Sequence, residues 1–101
     1  MIKFKRYPHV ADLMSYYANS FQDSLITGIL STGISTESDA RALSLFIWKM
    51  VRQMRLDSDA SVEVMGSTDN SELLADVHYE ISSYMEECGF GYVWNKISDE
   101  A

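Results

Sequence analysis

The stretch from Thr36 to Leu56, TESDARALSLFIWKMVRQMRL, constrains the fold more than any other part of the chain. At about 100° per residue, Leu43, Phe46, Ile47, Met50, Val51 and Met54 fall in one broad arc with Ala40 at its edge, the pattern of a helix that packs one face inward. Its ends agree. Ser35 and Thr36 offer hydroxyls to the free amides of a first turn, Glu37 and Asp39 suit the positive end of the helix dipole, and Lys49, Arg52 and Arg55 suit the negative end.

The other face of this helix is unusual. Arg41, Arg52 and Arg55 share a narrow arc with Lys49 at its edge, and Leu45 and Trp48 lie among them. Either another part of the domain covers Leu45 and Trp48, with the cationic stems packed alongside, or the group is a contact patch, since Trp and Arg dominate interface energies.

A single domain spanning residues 1–101 is expected, because a chain of 101 residues with 47% apolar content can bury roughly 65% of its unfolded surface without staples or a metal. Cys88 is alone, so no internal disulfide can form. Met1 to Tyr7 is short and cationic with no apolar run behind it, and no stretch approaches the ~18 apolar residues of a membrane span. A cytoplasmic, membrane-free protein is therefore expected.

The net charge of −7 is unevenly placed: residues 1–56 carry seven Lys or Arg against four Asp or Glu, and residues 57–101 carry Lys96 against eleven. A negative field of that kind repels phosphate, which argues against direct nucleic-acid or membrane binding and favours a cationic partner.

Along the rest of the chain, Ile2 and Phe4 alternate with Lys3 and Lys5, the period of a strand with one buried face, ended by Pro8. From Val10, the residues Leu13, Met14, Tyr17, Phe21, Leu25 and Gly28 form a helical stripe, read as one helix or as two divided near Asn19-Ser20. The run GILSTGIST reads as a loop. Val62 and Val64 alternate in a second short strand stopped by Gly66, and Ser67, Thr68, Asp69 and Asn70 offer caps for a helix from about Ser71 to Cys88, closing at Gly89.

In that last long helix Leu73, Leu74, Val77, Ile81, Tyr84, Met85 and Cys88 make the inward arc, while Glu72, Asp76, Glu80 and Glu87 line the other side. Stacked like charges cost a few tenths of a kcal/mol per pair unless a cation stands nearby. Phe90 to Ile97, FGYVWNKI, has the aromatic and β-branched content of a third strand. The expected fold is thus α+β, in the order β-α-α-β-α-β, with three helices on one face of a short three-stranded sheet.

No catalytic constellation is found. Asp57 to Glu63 carries oxygen ligands at alternate positions like a calcium loop, but Val62 stands where the turn needs glycine and Thr68 where the closing glutamate belongs. His78 and Cys88 are ten residues apart on one helix, about 15 Å along its axis, too far to pair. Neither zinc spacing nor a glycine-rich phosphate loop occurs. The expectation is a non-enzyme without cofactor or metal.

The function expected is a small acidic inhibitor of the kind represented by toxin immunity proteins, antitoxins and phage-encoded inhibitors of host defence, from a bacterium or phage. Its partner would be a protein with a basic surface, such as a toxin, nuclease or nucleic-acid-binding protein, engaged by Glu72, Asp76, Tyr79, Glu80 and Glu87. The second patch, Arg41, Leu45, Trp48, Lys49 and Arg52, gives the alternative of a self-associating, non-catalytic domain, a homodimer in which this face meets the acidic face of another copy.

Overall fold

The structure is a computed structural model that describes residues 2–56 and 70–100. It contains α1 (His9–Ser20), α2 (Ser24–Thr32), α3 (Glu37–Leu56), α4 (Asn70–Glu87) and α5 (Gly91–Glu100). All regular structure among the described residues is helical, which contradicts the expected α+β fold with its three-stranded sheet. The expected strand around Val62 and Val64, the calcium-like segment and the caps at Ser67 to Asp69 lie outside the described residues.

The two other strands fail for different reasons. Ile2 and Phe4 are buried and Lys3 and Lys5 exposed, so the alternation is real, but the segment finds helices instead of a neighbouring strand. The Ile2 N–H donates to the Leu30 carbonyl near the end of α2 (2.8 Å), and the Tyr7 N–H donates to Glu80 Oε1 on α4 (3.2 Å). Gly91 to Ile97 is helical because Val93, Trp94 and Ile97 stand at i, i+1 and i+4 and so share the core side of α5, with Phe90, three residues before Val93, packed on the core just ahead of the helix. Packing on that face outweighs the strand preference of aromatic and β-branched residues, which depends on context.

Three turns define the helix ends. After α1 the chain turns at Gln22, with φ +56°; the Gln22 N–H donates to Asn19 O and the Asp23 N–H to Ala18 O, and the Asp23 carboxylate then accepts the Ile26 N–H (3.1 Å) to start α2. The segment from Val10 to Gly28 is therefore two helices. The GILSTGIST loop is also corrected: Gly28 to Thr32 complete α2, with the Ser31 and Thr32 hydroxyls donating back to the Thr27 and Gly28 carbonyls, and only Gly33, at φ +86°, ends it. Between α4 and α5, Gly89 at φ +83° donates to Glu86 O while the Phe90 N–H reaches Met85 O, the paired bonds of a Schellman turn.

α3 packs against each of the other four described helices. Its whole expected arc is buried, together with Ser44, whose hydroxyl donates to Ala40 O (2.8 Å). Val77, Ile81 and Met85 of α4 and Val10 and Met14 of α1 close the same core. The Thr36 hydroxyl accepts the Asp39 N–H (3.1 Å), and the Asp39 carboxylate accepts from the Ser35 N–H and hydroxyl (both 3.2 Å). These bonds hold the Asp39 carboxyl below its ordinary range, the Ser35 amide being the first cause.

Candidate functional site

Burial of Ile2 and Phe4 lays the N-terminal segment beside α4, and Phe4 meets the Tyr84 ring edge-on at 6.1 Å. This brings Lys3, Lys5 and Arg6 to one side of a cleft of about 200 Å³ whose other side is Tyr79, Glu80, Ser83 and Glu87. The Arg6 guanidinium lies 5.0 Å from the Tyr79 ring centroid and 5.5 Å from that of Tyr7, and the two tyrosine rings meet edge-on at 5.8 Å. Its pKa is raised, first by the Tyr79 phenol and then by Tyr7, so it stays fully cationic.

The acidic residues of α4 do not act alike. Glu80 is only 5% exposed and accepts the Tyr7 N–H, so it faces inward and not with the solvated stripe. Asp76 Oδ2 is 2.9 Å from His9 Nε2, a contact that needs the proton on Nε2 because a carboxylate only accepts. Glu72 and Glu87 remain exposed, and Tyr79 is 47% exposed between them. Lys3, Lys5 and Arg6 of the N-terminal segment line the same cleft as Glu80 and Glu87, without an ion pair to either among the described residues.

The second patch lies where α3 meets α5. Arg41, Lys49 and Arg52 line it with Leu45, which is 52% exposed, and Trp48 is half-buried with its ring stacked on Trp94 at 5.8 Å and 11°. His78 stands edge-on to both indoles, 5.8 Å from Trp48 and 5.4 Å from Trp94. The Trp94 N–H donates to Ser82 Oγ (2.9 Å), whereas the buried Trp48 N–H has no acceptor among the described residues. Trp48 therefore belongs in part to both readings of it: one ring face is core, and the rest floors a hollow lined by Leu45, Lys49 and Arg52 with Ile97 and Glu100 of α5. Lys49 Nζ also stands 4.5 Å over the Phe21 ring.

Nothing local in the sequence connects Arg6, Tyr7 and His9 to α4, so sequence reasoning misses them as part of the acidic face. It also misses Tyr92, His78 and Trp94 beside the basic face; the helical spacing of Phe90, Val93, Trp94 and Ile97 is the available signal for α5. Among the described residues no three His, Cys, Asp or Glu side chains converge as a metal site, and no helix is long and apolar enough to cross a membrane. What the geometry of the described residues defines is a helical fold with two polar faces of unlike character. Comparison with protein-family models, curated proteins and solved structures gave no match.

Proposed function

We propose that the chain is a non-enzymatic, cytoplasmic protein-binding domain that neutralises a partner with a basic surface, such as a toxin or nuclease, through the α4 face. The observation that carries this reading is Tyr79, half-exposed between the exposed carboxylates of Glu72 and Glu87 and already in contact with a guanidinium. An exposed tyrosine framed by carboxylates combines a rigid aromatic anchor with a field that speeds encounter with a cationic protein. The same field disfavours nucleic acid and anionic lipid as direct ligands.

The test is recovery of partners from the native host with the wild-type protein and with the Glu72→Lys/Glu87→Lys variant. A strongly basic protein retained by the wild type and lost by the variant is the expected result. Equal recovery by both, or no basic protein with either, overturns the reading.

A further inference from the structure

We infer that the basic face formed by α3 and α5 docks the acidic α4 face of a second copy of this chain. The floor of this face is apolar: Leu45 is 52% and Tyr92 59% exposed, with Ile97 and the outer part of Trp48 between the helices. Its rim is cationic, with Arg41, Lys49 and Arg52 on α3 and Lys96 on α5 all exposed. None of these four has an ion pair among the described residues. Glu37 and Glu100 border the same hollows and leave the rim net positive. Large apolar side chains exposed inside an unpaired charged rim are the composition of a contact surface, and such a rim selects a partner of opposite sign.

The chain itself carries that opposite surface. Glu72, Glu86 and Glu87 are exposed on α4 around the half-exposed Tyr79, so a second copy offers carboxylates for the rim and a tyrosine for the floor. The net charge of −7 on each copy opposes approach only weakly. With a radius of gyration of 13.2 Å, the centres of two touching copies stand more than two Debye lengths apart at ~0.1 M salt, whereas the rim pairs meet at contact. Because the two faces are different, a two-fold axis that uses both pairs reciprocally closes the contact as a dimer. This inference stands apart from the partner proposed above, although self-association occupies the same α4 face.

Sedimentation velocity over a concentration series tests it, at ~0.1 M and ~1 M salt. The wild type should sediment as a dimer at the lower salt and move towards monomer at the higher. Arg41→Glu/Arg52→Glu and Glu72→Lys/Glu87→Lys, four exposed positions, should each weaken association by roughly tenfold or more. An equimolar mixture of the two variants pairs the reversed rim with the reversed carboxylates and should recover association to within about threefold of wild type. Circular dichroism confirms that each variant is folded. A wild type that stays monomeric at low salt, or a mixture of folded variants that stays monomeric, overturns the proposal; in the first case an acidic segment of another protein becomes the occupant to seek.

Discussion

The guanidinium of Arg6 lies 5.0 Å from the ring centroid of Tyr79, so the aromatic centre of the acidic face is already in contact with a cation from the opposite end of the chain. Arg6 is exposed and its neighbours Ile2 and Phe4 are buried, so the arginine can leave the ring while the segment stays anchored.

A cationic partner of the kind proposed for the α4 face would have to compete with Arg6 for the Tyr79 ring. Arg6→Ala should tighten binding of an oligoarginine peptide by ~3-fold or more in fluorescence anisotropy, because the competing contact is gone. Tyr79→Ala should weaken it. Unchanged or weaker binding by Arg6→Ala would show that Arg6 helps to form the site and does not mask it.

Gly33 and Gly28 should respond to alanine with opposite signs. Gly33 holds φ +86° and ψ 171°, a region nearly closed to other residues, and a β-carbon there would lie 3.2 Å from the Tyr84 hydroxyl. Gly33→Ala should cost about 1–3 kcal/mol in urea unfolding. Gly28 is interior to α2 with open space around it, so Gly28→Ala should stabilise by about 0.5–1 kcal/mol.

The Tyr84 hydroxyl accepts the Ile34 N–H (3.1 Å) and ties the α2–α3 connection to α4. Tyr84→Phe keeps the ring and should cost about 1 kcal/mol, a fall in Tm of ~4–8 °C. Burial raises the phenol's pKa, opposed by the Ile34 amide and assisted by nearby Cys88. A raised folded pKa means that the neutral phenol's contribution is complete below the ordinary value near ~10 and is lost as pH rises through the folded value. The wild-type advantage over Tyr84→Phe should therefore narrow in alkaline melts.

Asp39 has the opposite sign. Its folded pKa is lowered, so its contribution is present above the ordinary aspartate value of ~3.9 and disappears as pH falls through the lower folded value. Asp39→Asn should lower stability at neutral and alkaline pH and converge with the wild type at acid pH, which flattens the acid limb of a stability-against-pH curve. Thr36→Ala, which removes the acceptor for the Asp39 N–H, should cost about 1 kcal/mol at neutral pH by thermal melting. An acid limb unchanged in Asp39→Asn would contradict the assignment.

The acidic and basic faces are partly legible in the sequence. Exposed Arg41, Leu45, Lys49 and Arg52 follow from helical periodicity alone, as do exposed Glu72 and Glu87. Glu80 does not: it falls on the same stripe as Asp76, yet it is buried because Tyr7 needs an acceptor for its backbone N–H where the N-terminal segment crosses α4. Trp48 also divides between core and surface only because Trp94 is there to stack on it.

The span of α3, its Thr36 cap, its buried arc and the inward arc of α4 were determined by the sequence itself, because capping, dipole and periodicity act within a turn or two of chain. The uneven charge of the two halves is likewise a property of the sequence. Only the tertiary structure decided that Ile2 to Tyr7 runs against helices without a strand partner, and that Gly91 to Ile97 coils instead of extending. An alternating segment and an aromatic run each satisfy two periods, and the choice between them belongs to whatever distant surface buries their apolar side chains.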